Sequence, residues 1–158
     1  MKSARYPALA LFLVATFAAG AIGSSVTIES VRTWYPTIAK PAWNPPDWIF
    51  APVWTTLYVV MATAAWRVWR KAEPAAARRL LVIYGVHLVL NALWSVVFFA
   101  FHRPDLALVE ILVLWSLLVT LLIRFWRADR LAGVLWSPYV AWVTFATGLN
   151  ATIWYLNW

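Results

Sequence analysis

Five apolar runs decide what this chain can fold into. They cover residues 6–27, 51–69, 79–101, 105–126 and 131–156. A bilayer's hydrocarbon core takes about 20 helical residues to cross. No water is available there to satisfy backbone N–H and C=O groups, so a spanning run must close its hydrogen bonds within itself. The runs are continuous and lack the alternation of a barrel strand. The expectation is an all-α membrane protein, a single domain over residues 1–158. Its architecture is a five-transmembrane-helix bundle with a long folded loop between helices 1 and 2. Composition agrees: 64% of the residues are hydrophobic and 12% charged, against about 25% charged in soluble domains.

The first run admits a rival reading. Lys2 and Arg5 precede it, and Ala18-Ala19-Gly20-Ala21 could serve as a signal-peptidase site. A retained helix is favoured, because the apolar stretch continues past these small residues. Ala19 and Gly23, and Gly20 and Ser24, lie four apart, a spacing that allows close helix contact in lipid. The absence of cysteine excludes disulfides and thiolate metal sites.

The net charge of +7 does not point to nucleic acid, since no soluble basic face is available to hold phosphates. The cations instead sort by loop. Lys2, Arg5, Arg67, Arg70, Lys71, Arg78, Arg79, Arg124, Arg127 and Arg130 fall on one side, and Arg32, Lys40 and Arg103 on the other. The positive-inside rule then puts the N-terminus in the cytoplasm, with the first loop and the C-terminus opposite.

That first loop, about Ile28 to Phe50, is the exception among short connections. Residues 34–58 hold five of the nine prolines and four of the thirteen tryptophans. Proline lacks a donor and biases its predecessor toward extended backbone. A rigid loop, folded down over something, is expected, and long ordered loops are usually functional. Trp34, Trp43 and Trp48 are read as packing within this lid, and Trp54 as facing a ligand. Asp105 is read as the N-cap of helix four.

Polar groups inside a membrane are costly and therefore informative. Helix three carries Tyr84, His87, Asn91, Trp94 and Phe98 at spacings of three and four, hence on one face. Helix five carries Tyr139, Trp142, Ala146, Leu149 and Ile153 similarly, with Asn150 alongside, and helix two opens with Trp54, Tyr58 and Met61. Asn91 and Asn150 are read first as cross-helix hydrogen bonders, and His87 as hydrogen-bonded core. Glu110 stands equally as a dipole-stabilised interfacial acid or as part of a site. Trp66, Trp69, Trp126, Trp136 and Trp158 are read as interfacial belt. No paired carboxylates, catalytic triad, metal cluster or phosphate loop emerges. What the faces offer is aromatic surface, suited to a flat and largely apolar ligand.

Several motifs now coincide: Trp34-Tyr35, Lys40-Pro41-x-Trp43-x-Pro45-Pro46-x-Trp48, Pro52-Val53-Trp54-x-Thr56-Leu57-Tyr58, Asn91-x-x-Trp94, Phe98-Phe99, and Pro138-Tyr139-x-x-Trp142 followed by Leu149-Asn150. In this order the chain resembles the translocator protein family, also called tryptophan-rich sensory proteins or peripheral-type benzodiazepine receptors. The resemblance covers nearly the whole chain. It implies a five-helix bundle, commonly a homodimer, with a pocket beneath the first loop for porphyrins (protoporphyrin or haem), sterols and isoquinoline carboxamides. Trp54, Trp94 and Trp142 would be the pocket tryptophans, and Ala146 the small residue that shapes it.

Taken together, the expected ligand-binding residues are Trp54, Tyr58, His87, Asn91, Trp94, Phe98, Glu110, Tyr139, Trp142, Ala146, Leu149 and Asn150. No cofactor is required; a tetrapyrrole is the expected ligand and the bilayer the expected surroundings. There are departures from the family pattern. Ala151 stands where sterol binders carry Tyr, and no basic residue follows, which argues against specific cholesterol binding. His87 replaces a frequent Gln, Leu106 a Trp and Glu110 an Asp. The leading expectation is tetrapyrrole binding for sensing, transport or regulation. An enzymatic alternative, also implied by the resemblance, is light-driven porphyrin breakdown at Trp54 and Trp142. A small-molecule transporter or structural protein is a third, although no broken helix pair or inverted repeat is evident.

Overall fold

The computed structural model describes residues 5–158, with side chains from residue 7 onward. Lys2 and the side chain of Arg5, which entered the charge asymmetry above, lie outside the described residues. The described residues form five α-helices: α1 (Arg5–Thr33), α2 (Phe50–Lys71), α3 (Pro74–Ser95), α4 (Pro104–Ala128) and α5 (Arg130–Asn157). Among the described residues there is no strand.

Helix boundaries overrun the apolar runs. α1 continues to Thr33, six residues beyond the expected 27. Hydropathy marks where lipid ends, not where a helix must stop. Thr27 and Thr33 return their hydroxyls to the carbonyls of Gly23 and Glu29, at 2.8 and 2.9 Å. The connection to α2 therefore shrinks to residues 34–49, with short 3-10 turns at Tyr35–Thr37 and Asp47–Ile49. α3 and α4 begin at Pro74 and Pro104, where a missing N–H costs nothing and the fixed φ suits a first turn. Asp105 is not the cap of α4. Arg103 holds that position, and its guanidinium grips the Asp105 carboxylate at 2.6 and 2.8 Å.

Four of the five helices, within Pro7–Thr33, Asp47–Lys71, Pro74–Ala100 and Pro104–Ala128, are long and apolar enough to cross a membrane. The chain is thus a multi-pass integral membrane protein. α5 has the length, at 28 residues, but not the hydropathy. Its Trp and Tyr rings, Pro138 and Asn150 are the residues that lower it. Pro138 would orphan the Val134 carbonyl; the neighbouring Ser137 hydroxyl donates to that carbonyl at 2.9 Å.

The core runs down the centre of the bundle. Met61, Ala64, Ala65 and Val68 of α2 meet Leu114, Leu118, Leu121 and Phe125 of α4 and Ala132, Trp136, Tyr139 and Val143 of α5. Trp136 is not an interfacial belt residue. It is fully buried and donates its indole N–H to the Leu118 carbonyl at 3.1 Å. A single residue, Asp129, separates α4 from α5. Gly133 makes this tight reversal possible, because a Cβ there would stand 2.8 Å from the Trp126 Cα. Arg67 of α2 pairs with Asp129. The hydrogen bond from Arg67 holds the Asp129 carboxyl below its ordinary range.

Candidate functional site

The last turn of α3 is wound as a π turn over Val96–Ala100, an arrangement often found at functional sites. It brings Phe98 onto Trp94, with ring centroids 5.1 Å apart and planes 24° from parallel, and sets Phe99 at 4.8 Å from Phe98. The chain then reverses at His102, whose φ of 52° lies in the left-handed region. The His102 ring stacks on Trp34 at 4.3 Å, fixing the start of the 34–49 connection against the α3–α4 turn.

The connection is anchored at several further points. Tyr35 donates its hydroxyl to the Asn44 side-chain oxygen at 2.7 Å. Burial pushes the Tyr35 phenol up to about 12, with the Asp47 charge acting in the same direction, so the group stays a neutral donor. Lys40 donates to the Tyr35 and Ile38 carbonyls. Asn157, at the end of α5, exchanges two 2.9 Å hydrogen bonds with the Ala39 backbone. Trp43 meets Phe145 of α5 at 5.6 Å. Trp48 departs from the packing expected of it and is 73% exposed.

Beneath this connection lies a cavity of about 570 Å³. α2 contributes Phe50, Ala51, Trp54, Thr55 and Tyr58; α3 and its π turn contribute Asn91, Trp94, Ser95, Phe98 and Phe99. From α5 come Trp142, Phe145, Ala146, Leu149, Asn150 and Ile153, and from the connection Tyr35 and Asp47. The rings brace one another. Trp54 lies 5.4 Å from Tyr58, Trp142 lies 5.9 Å from Phe50, and Tyr58 meets Phe17 of α1 at 5.6 Å.

Two asparagines hold these walls together. Asn150 accepts from the Trp94 indole at 3.1 Å and donates to the Pro104 carbonyl at 2.8 Å, joining α3, α5 and the start of α4. Asn91 donates to the Tyr139 hydroxyl at 3.0 Å. Both make the cross-helix bonds expected of intramembrane amides, and both also line the cavity.

Nine of the twelve sequence-selected residues line this space: Trp54, Tyr58, Asn91, Trp94, Phe98, Trp142, Ala146, Leu149 and Asn150. Three do not. Tyr139 is fully buried below the floor, 6.2 Å from Trp54. His87 is fully buried deeper still, with Nδ1 against the Tyr84 carbonyl and its ring between Tyr84 and Trp136. Its companions are core residues, in keeping with the core reading. Glu110 stands on α4, which gives the cavity no residue, and both its carboxyl oxygens are buried without a hydrogen-bond partner among the described residues.

One whole wall was not anticipated. α1 contributes Phe17, Gly20, Ala21, Gly23, Ser24, Thr27, Ile28, Val31 and Arg32. Its small residues also make the close helix contacts expected of them. A Cβ on Gly20 would stand 2.3 Å from the Tyr58 ring, and one on Gly23 would stand 3.0 Å from the Ser95 hydroxyl. The same lack of side chain opens the space beside them. Among the described residues, no group of three His, Asp or Glu side chains lies together that could hold a metal.

Trp54, Trp94 and Trp142 are among the residues that line the cavity beneath the anchored Pro-Trp connection, and the sequence itself matches a known group. The TspO/MBR family model matches residues 12–156. The chain belongs to the TspO/MBR family. Relatives span nearly its full length. It is 40% identical to the tryptophan-rich protein TspO of Chlorobaculum tepidum over 153 residues, 94% of this chain and 95% of that protein. It is 40% identical to the tryptophan-rich sensory protein of Cereibacter sphaeroides over 149 residues, 94% and 92% of the two chains. The human translocator protein is 32% identical over 150 residues, covering 94% of this chain and 83% of that protein. Family membership thus takes in every cavity wall, from Phe17 on α1 to Ile153 on α5.

Proposed function

We propose that this TspO/MBR protein binds a flat tetrapyrrole, protoporphyrin or haem, in the cavity and serves tetrapyrrole sensing, transport or regulation. The observation that supports this most is the convergence of Trp54, Trp94 and Trp142, from three helices, on one cavity of about 570 Å³. That size falls within the usual range for small-molecule pockets, and its lining is largely apolar with a few polar groups. Stacking on an indole face favours an aromatic macrocycle. The polar groups of the lining include Arg32 and Asp47, which suits a ligand with a polar edge. Titration with protoporphyrin, followed by tryptophan quenching, tests the proposal. Trp54→Phe combined with Trp142→Phe is expected to weaken binding at least tenfold; unchanged affinity would refute the assignment.

A second reading rests on the same two indoles. Trp54 and Trp142 both line the cavity, so either could give an electron to a photoexcited porphyrin, with dioxygen as terminal oxidant. Illumination would then yield one defined product in the wild type and none in the double variant.

The orientation is proposed from the charges. Arg67, Arg70, Lys71, Arg78, Arg79, Arg124, Arg127 and Arg130 sit at one end of the bundle, and Arg32, Lys40 and Arg103 at the other. The first end would face the cytoplasm. The chain contains no cysteine, so a single Trp48→Cys variant reports the side directly. An impermeant maleimide is expected to label it on intact cells, whereas labelling only after lysis would invert the topology. The homodimer common in this family is part of the same proposal.

A further inference from the structure

A second hollow, of about 580 Å³, opens at the other end of the molecule, where α2 turns into α3. Trp69, Ala72, Ala77, Leu81 and Val82 line it, and among the described residues Arg78 is its one charged lining residue. The tetrapyrrole proposal does not use this place.

Its chemistry is of two kinds. The walls are apolar, and Val82 is 62% exposed on what would be the lipid side of α3. The charge is unbalanced: between residues 69 and 82 the chain has Arg70, Lys71, Arg78 and Arg79 against Glu73 alone. The ion pairs among the described residues are Arg67 with Asp129 and Arg103 with Asp105, so Arg78 and Arg79 are left without an anionic partner. Arg70 lies 4.5 Å over the Trp66 ring. Trp69, whose ring is 6.5 Å from Phe12 of α1, is 41% exposed, and its indole N–H makes no hydrogen bond within the described residues. The hollow therefore joins a guanidinium without an anionic partner and an N–H donor without a hydrogen bond, both among the described residues, to apolar walls that include Leu81 and the exposed Val82.

We propose that this hollow is a binding site for one anionic phospholipid of the leaflet at the basic end. The phosphate would take paired hydrogen bonds from Arg78, the geometry guanidinium matches best, with the Trp69 indole as a further donor. An acyl chain would lie along Leu81 and Val82. A water-soluble anion would satisfy the charge but leave the apolar walls uncovered. Basic hollows between transmembrane helices commonly take such headgroups.

Native mass spectrometry of the intact protein, released from detergent with phosphatidylglycerol or phosphatidylcholine added, tests the site. One tightly held phosphatidylglycerol is expected, retained about fivefold over phosphatidylcholine, the scale of one basic contact. Arg78→Gln removes the preference. Arg127→Gln, which deletes the same charge at the same end but outside the hollow, keeps it. Trp69→Phe, which keeps the ring and removes only the donor, weakens retention. Equal retention of the two lipids, equal loss in both arginine variants, or displacement by inorganic phosphate would each overturn the proposal. Thermal melting of each variant confirms that the bundle is intact.

Discussion

At the scale of single residues, the aromatic and amide groups of the cavity were legible because they are expensive. A Trp, Tyr or Asn repeated every three or four residues along an apolar helix cannot face lipid comfortably. That logic selected Trp54, Trp94, Trp142, Asn91 and Asn150, all of which line the cavity. It also selected His87 and Tyr139, which share those faces but lie one or two turns deeper. Face is encoded in spacing; depth is set by how the helices cross. The α1 wall escaped for the opposite reason. Gly20 and Gly23 matter through the volume they lack, and absent volume has no periodicity to read. Gly20→Ala is expected to destabilise the protein by about 1–3 kcal/mol, because the new methyl overpacks the Tyr58 ring. Tyr58→Ala should relieve most of that cost. The melting points of the two single variants and the double variant form a cycle, and additive losses would show that the two residues do not meet.

At the scale of elements, the apolar runs located all five helices but misplaced their ends. α1 and α3 each extend well past the lipid-compatible stretch, one ending at Thr33 and the other beginning at Pro74. The π turn at the end of α3 has no signature in the residue pattern; within it Phe98 and Phe99 pack against Trp34 and Tyr35 of the connection. The Arg67–Asp129 pair is likewise a meeting of elements distant in sequence, where α2 ends against the α4–α5 reversal. Its pH dependence follows from the lowered Asp129 carboxyl, to which Arg67 contributes most and Lys71 also adds. A depressed carboxyl contributes stability above its unfolded value, near 4, and loses it as pH falls through the folded value. Melting in detergent is expected to stay level from pH 7 to about 5 and to decline below about 4. Arg67→Gln should shrink that acid-side decline; an unchanged slope would mean that the pair does not anchor the turn.

At the scale of the whole molecule, the two ends of the bundle are chemically different. One end is basic and closed by short turns; the other carries the anchored Pro-Trp connection and opens into the aromatic chamber. The connection is tied to α5 through Asn157 and to the α3–α4 turn through the Trp34–His102 stack. A ligand would therefore meet a largely pre-formed roof, which lowers the ordering cost of binding. The most direct test of this account is an experimental structure of the protein with protoporphyrin bound. The macrocycle is expected within van der Waals contact of Trp54 and Trp142, beneath Tyr35. Density for the porphyrin only on the lipid-facing surface, with the chamber empty, would contradict it.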